Sequence, residues 1–159
     1  MRRFGAAGMS LLIGAVLVLD RITKIAAEHA LAVGQSVPVI KGVFHFTLVH
    51  NTGAAFGLFK NWVLLLALVS ACVLVLLWLT LVRAGKNPHL ASYRIPLSLV
   101  FGGALGNLID RLFLGYVIDF LDLRVWPVFN IADSAITIGA VLLAILLIRE
   151  PAGHRTAVQ

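Results

Sequence analysis

The residues of this chain best suited to chemistry are carboxylates: Asp20, Asp110, Asp119, Asp122 and Asp133. Two carboxyl groups that share one proton can work as a pair. The ionised one draws a proton from water, while the other, its pKa raised by burial and like charge, donates to a carbonyl. Other chemistries find little support. There is no Gly-x-Ser-x-Gly, and Ser70 and Ser98 sit in apolar runs with no histidine nearby. There is no His-Glu-x-x-His, and His29, His45 and His50 are scattered, so each reads as a satisfied or solvated histidine. Cys72 has no activating partner in sequence, cannot form an intrachain disulfide because it is the single cysteine, and is expected in the core.

Local cations sort the carboxylates. Asp20 has Lys24 one helical turn away and Asp110 adjoins Arg111, which marks both as ionised structural partners. Asp122 has Arg124 two residues on, on the same face if the segment is extended. Asp119 and Asp133 have no local cation; the loop between them contains Trp126 and Pro127 and could bring them together. This sorting alone leaves the reacting pair open.

The elements that must position these groups are membrane spans. Of 159 residues, 60% are hydrophobic and 13% charged, with a mean hydropathy of +1.00. A soluble domain carries about 25% charged and about 45–50% apolar residues, so the solvent is a bilayer. About 20 apolar residues are needed to cross it. Four segments have that length: about 9–31, 62–82, 95–114 and 130–148, in one membrane-embedded domain with no internal repeat. The second has no charge. Arg2 and Arg3 before an apolar run mimic a signal peptide, but the charged cluster from Asp20 to Lys24 argues that the first helix is retained.

The net charge of +6 reads as orientation rather than nucleic-acid binding, since no basic run has interleaved aromatics. Arg2, Arg3, Arg83, Lys86, Arg94, Arg149 and Arg155 flank one side, against Lys41, Lys60 and Arg124 on the other. The positive-inside rule therefore puts both termini in the cytoplasm and the loops at about 32–61 and 115–129 outside. Val37 to Val49 is rich in β-formers and punctuated by Pro38 and Gly42, which predicts a small extracytoplasmic sheet or cradle. The tail after Pro151 is short and polar.

With this topology Asp20 lies about 17 Å along the first helix and Lys24 about 6 Å further. Asn107, Asp110 and Arg111 end the third helix, and Asn130 and Asp133 begin the fourth. All fall in the outer leaflet. A charge at membrane depth costs about 2.5–3.5 kcal/mol and normally faces a partner or a wet cavity. Spacings of three and four give each set one helix face. Gly102, Gly103 and Gly106 permit close packing of the third helix, which would draw those faces together. Two other readings stand beside a catalytic cavity. A small proton- or ion-coupled transporter would need polar groups through to both faces, whereas the cytoplasmic halves are almost wholly apolar. A structural membrane subunit would use the same charges as clamps.

Four blocks, in order, carry a match that runs over nearly the whole chain: Asp20-Arg21-Ile22-Thr23-Lys24; Asn51-Thr52-Gly53-Ala54-Ala55-Phe56-Gly57; the run from Gly102 to Arg111; and Val117-Ile118-Asp119-Phe120 followed by Phe129-Asn130-Ile131-Ala132-Asp133. In these the chain resembles the lipoprotein signal peptidases, the bacterial signal peptidase II family of membrane aspartyl proteases. The resemblance implies an all-α inner-membrane protein of four transmembrane helices with a small β cradle. It implies Asp119 and Asp133 as catalytic dyad, with Asp20, Lys24, Asn51, Gly53, Asn107, Asp110, Arg111 and Asn130 supporting the site or contacting substrate. The implied substrate is a prolipoprotein cut before a cysteine carrying diacylglycerol. Expected partners are that substrate and membrane lipid, with a monomeric enzyme, no nucleic acid, no metal and no cofactor. The segment from Val37 to Phe59 is expected to cradle the substrate, with Gly53 and Gly57 giving mobility.

Overall fold

The computed structural model describes residues 5–53 and 63–149. Outside them lie Ala54 to Gly57 of the second block, Phe59, Lys60, Trp62, Arg2, Arg3, Arg155 and the tail. Four long helices form: α1 (Ala6–Ala30), α2 (Val63–Lys86), α3 (Arg94–Phe113) and α4 (Ile131–Arg149). Each is long and apolar enough to cross a membrane. Strands β1 (Ser36–Ile40), β2 (Phe44–Asn51) and β3 (Val117–Asp122) form one antiparallel sheet in the order β1-β2-β3. A 3₁₀ turn at Pro88–Tyr93 joins α2 to α3.

The central helix is α3, which packs against the other three. Small residues on α3 and α4 explain how. A Cβ on Gly103 would collide with the Ala132 carbonyl oxygen, one on Gly139 would come within 2.7 Å of the Pro96 oxygen, and one on Gly102 would crowd Val16 at 3.1 Å. Backbones that touch in this way gain dispersion contact that larger side chains would prevent. By contrast α2 is apolar all round; its buried positions Ala67, Leu74 and Leu81 make a narrow stripe, and Ala67 and Leu74 cluster with Leu108 of α3. Cys72 falls off that stripe and is exposed, which corrects the expectation of a core cysteine. On an all-apolar membrane helix, residue type does not tell core from lipid.

The sheet caps one end of the bundle. Its apolar underside rests on α1, where Ala27, Leu48, Ile118 and Phe120 form a buried cluster. Gly42, at φ +77°, makes the β1–β2 turn, and Gly115, at φ +79°, ends α3 and starts β3. A register shift between Phe46 and Val49 lets Asn51 pair beside Val117 while Val49 opposes Asp119. β3 forms within the stretch expected as an outer loop at about 115–129. At the opposite end the buried polar side chains are Arg94 and Ser98 among the described residues. Arg94 donates to the Ala84, Gly85 and Asn87 carbonyls, and Ser98 to the Arg94 carbonyl. The Arg94 bonds join α2 to α3, and the other buried side chains described at that end are apolar.

Candidate active site

Every polar residue singled out from the spans meets at the sheet end. The innermost group is Lys24, whose side chain is fully buried. Its ammonium lies 2.8 Å from Asp20 Oδ2, 2.7 Å from Asp110 Oδ2 and 3.2 Å from Asn107 Oδ1, so its three protons each have an acceptor. The remaining oxygens are also used. Asp20 Oδ1 accepts the Ala132 N–H at 2.9 Å, placing a carboxylate at the positive end of α4. Asp110 Oδ2 accepts the Ile118 N–H at 3.3 Å, and its Oδ1 meets Arg21 at 3.5 Å. Thus Lys24 fixes α1 to α3, and its two carboxylates fix α4 and β3.

One expectation changes here. Asp110 pairs with Lys24 and Arg21 rather than with adjoining Arg111. Neighbours in a helix point about 100° apart, so Arg111 turns elsewhere: Nη1 donates to the Asn107 carbonyl at 3.3 Å, and the residue lines the cleft.

Asn130 and Asp133 start α4 with a reciprocal cap. The Asp133 N–H donates to Asn130 Oδ1 at 2.8 Å, and the Asn130 N–H donates to Asp133 Oδ2 at 3.3 Å. With its oxygen so committed, the Asn130 amide nitrogen faces acceptors: Asp119 Oδ1 at 2.7 Å, Asn107 Oδ1 at 3.1 Å and the Ile118 carbonyl at 3.3 Å. One residue therefore holds both carboxylates, Asp119 through its side chain and Asp133 through its backbone N–H. Asn107 Nδ2 donates to Asp133 Oδ1 at 2.7 Å, and Asn51 Nδ2 donates to Asp119 Oδ2 at 2.9 Å. Asn51 Oδ1 accepts the Gly53 N–H at 3.0 Å, which holds the chain after β2 close to the pair.

Asp119, Asp133, Asn51, Gly53, Asn107 and Arg111 all line one cleft of about 230 Å³. Neither aspartate has an ion-pair partner among the described residues. Burial pushes the Asp119 carboxyl up to about 7, helped by the charge of Asp133 and opposed by the Asn51 amide, the Lys24 charge and the Asn130 amide. Such a group changes protonation near neutral pH, as an acid catalyst must. No group of three or more His, Cys, Asp or Glu placed to hold a metal ion occurs among the described residues.

The loop between the aspartates closes by a short bridge: Phe129 donates to the Leu121 carbonyl at 3.0 Å, and the Phe129 carbonyl accepts from Phe120 and Leu121. The cleft wall includes Val128, Ile136 and Thr137, which the sequence reading did not name. The three- and four-residue spacing of Ile136 and Thr137 from Asp133 was the available signal. Asp122 does bond Arg124, at 3.0 Å, but through a turn. Arg124 has φ +65°, and its N–H also donates to Asp122 Oδ1, so the segment is not extended there. His29 is exposed and His45 is engaged, as expected, whereas His50 Nε2, 3.3 Å from Glu28 Oε1, is buried without a hydrogen-bond partner among the described residues. His45 contacts Ser36 at 3.1 Å, and His50 stacks on Tyr116.

Comparison with known proteins adds a family to this geometry. The model of the Peptidase_A8 family, signal peptidase (SPase) II, matches residues 12–149. A lipoprotein signal peptidase from Moorella thermoacetica is 46% identical over 140 residues, which is 88% of this chain and 91% of the relative. One from Pseudomonas fluorescens is 42% identical over 154 residues, covering 90% of this chain and 88% of its own. Two bacterial membrane enzymes solved by the in meso method share the fold. The 2.3 Å structure has a TM-score of 0.82 at 30% identity, covering 95% of this chain and 93% of its own. The 1.9 Å structure has a TM-score of 0.79 at 31% identity, covering 92% and 96%. Matched along most of its length in both sequence and fold, the chain belongs to the signal peptidase II family.

Proposed function

We propose that Asp119 and Asp133 are the catalytic pair with which this bacterial inner-membrane protease removes signal peptides from prolipoproteins, cutting before a cysteine that carries diacylglycerol. The observation that carries this reading is one cleft lined by two carboxylates, both held by Asn130 and neither in an ion pair among the described residues.

In the reaction, Asp133 as carboxylate takes a proton from a water held between the pair. The oxygen attacks the scissile carbonyl carbon while Asp119 gives its proton to the carbonyl oxygen, forming a tetrahedral diol. Asp119, now ionised, takes a diol proton back, and Asp133 hands the water-derived proton to the departing nitrogen. The carbon–nitrogen bond breaks, leaving a carboxyl terminus on the signal peptide and a free amine on the cysteine. The value of about 7 for Asp119 supports its role as the resident acid. Asn51, Asn107 and Asn130 orient the carboxylates. Arg111 on the cleft wall offers charge-assisted donors to substrate carbonyls. Asp20, Lys24 and Asp110 hold the helices that carry the pair, and Gly53 lets the peptide approach.

The bias of flanking Lys and Arg supports an outward-facing site with cytoplasmic termini, where a signal peptide presents its cleavage point. The enzyme works as a monomer in this reading, with lipid around it. A transporter is not favoured, because the buried polar side chains described at the other end, Arg94 and Ser98, are bonded to backbone carbonyls. The test is cleavage of a lipid-modified precursor by purified Asp119→Asn and Asp133→Asn proteins whose folding is checked by thermal melting. Loss of turnover in both folded variants is expected; normal turnover in either removes the dyad.

A further inference from the structure

A second groove meets the catalytic cleft at Asp133. It holds about 380 Å³ and is walled by Leu123, Phe129 and Ile138. Trp126, Phe129, Asp133 and Thr137 belong to both spaces, yet their chemistry differs. The cleft presents Asn51, Asn107 and Arg111, donors suited to a peptide backbone. Among the described residues the second groove has no amide or cationic side chain along it, and its Ser134 hydroxyl is already bonded to the Asn130 carbonyl at 2.9 Å.

The groove also has a direction. From Asp133 to Ile138 it follows α4 for about 7.5 Å. Beyond Ile138 the same helix face carries Val141, Ile145 and Ile148, all exposed on a helix apolar enough to span the membrane. The groove therefore runs from a catalytic carboxylate, past the Ser134 and Thr137 hydroxyls, to the lipid-facing stripe of α4.

The substrate needs such a path. In a diacylglyceryl-modified precursor the sulfur is three bonds from the scissile nitrogen, a reach of about 4 Å. The glyceryl group and its acyl chains must leave the reaction centre at once, and an apolar chain kept in a polar cleft would forfeit burial of about 0.8 kcal/mol per methylene. We propose that this groove receives the first carbons of an acyl chain on the substrate's modified cysteine and leads the chain along α4 into the bilayer, while the signal peptide occupies the cleft. The assignment rests on the protease reading and adds to it the surface that selects for lipid.

Two measurements test it. A precursor bearing a diazirine near the ester end of its acyl chain is bound to the Asp119→Asn protein and irradiated, and adducts are mapped by mass spectrometry. Adducts on Leu123, Phe129 or Ile138 are expected. Adducts confined to α1 or α2, or to bulk lipid, overturn the assignment. In the active enzyme, Ile138→Trp narrows the groove, so the ratio of kcat/KM for a dipalmitoyl precursor to that for a diacetyl one should fall about tenfold. An unchanged ratio overturns the groove and leaves the dyad standing. If the unsubstituted enzyme fails to cut the dipalmitoyl precursor, the protease reading itself fails, and the groove goes with it.

Discussion

Two acidic clusters lie side by side at the sheet end of the bundle, built in opposite ways. Around Lys24, two carboxylates flank an ammonium, and every proton and oxygen is directed at a helix or strand. Around Asn130, two carboxylates are held by neutral amides, with no cation in ion-pair contact among the described residues. A buried cation between carboxylates ties them together through charge-assisted bonds; an amide orients a carboxylate without an ion pair. The first cluster is thus suited to tying elements together and the second to moving protons. Asn107 joins them, accepting from Lys24 and donating to Asp133.

The sharpest way to break this contrast is to neutralise one member of each. Asp119→Asn or Asp133→Asn should lower turnover of a lipidated precursor by about 10³-fold or more, since the acid and base steps alone contribute about 10²–10⁴-fold. Both proteins should still fold. Lys24→Met should instead leave two buried anions facing each other, at a stability cost of about 3–5 kcal/mol. Its signature is poor yield and a lower melting temperature. A folded, stable Lys24→Met with inactive chemistry would reverse the roles assigned to the two clusters.

Proton binding separates the clusters further. The Asp119 carboxyl, at about 7 in the fold against 3.8 as its ordinary value, binds a proton in the native state that the unfolded chain releases. Stability should therefore fall as pH rises through that window, and Asp119→Asn should flatten the slope. For the same reason kcat/KM should decline above about pH 7 as the acid is lost. Asn51→Ala removes a donor that favours the ionised form, so the alkaline limb should move to higher pH while activity drops. A limb that stays in place would show that Asn51 does not act on Asp119.

Much of this contrast was legible beforehand because membrane burial makes charge conspicuous. Asp20, Lys24, Asp110 and Asp133 stand out in apolar runs, and the helices containing them lie within a few residues of the expected limits. What was not legible depends on contacts distant in sequence. β3 exists as a strand because β2 pairs with it across more than sixty residues of chain, and nothing local in Val117 to Asp122 demands that. The partner of Asp110 was misassigned because adjacency in sequence is not adjacency on a helix. Cys72 was misplaced because an all-apolar helix does not mark which face meets lipid.

Asp122 offers the gentlest probe, since it has a cation of its own at the edge of the sheet. Burial raises its carboxyl, but the Thr47 hydroxyl at 2.7 Å and the Arg124 backbone and side chain outweigh burial and hold it below the ordinary range. Unlike Lys24, the Arg124 side chain is 47% exposed, so its ion pair contributes about 0.2–1 kcal/mol. Its backbone at φ +65° is strained for a non-glycine residue, at a cost of about 1–2 kcal/mol. Arg124→Gly loses the first quantity and recovers part of the second, and the N–H bond to Asp122 remains. The melting temperature should therefore change by no more than about 3 °C, with cleavage within about twofold of the parent. A loss as large as that of Lys24→Met would mean that a solvent-screened cation counts as much as a buried one, and the distinction between the two clusters would collapse.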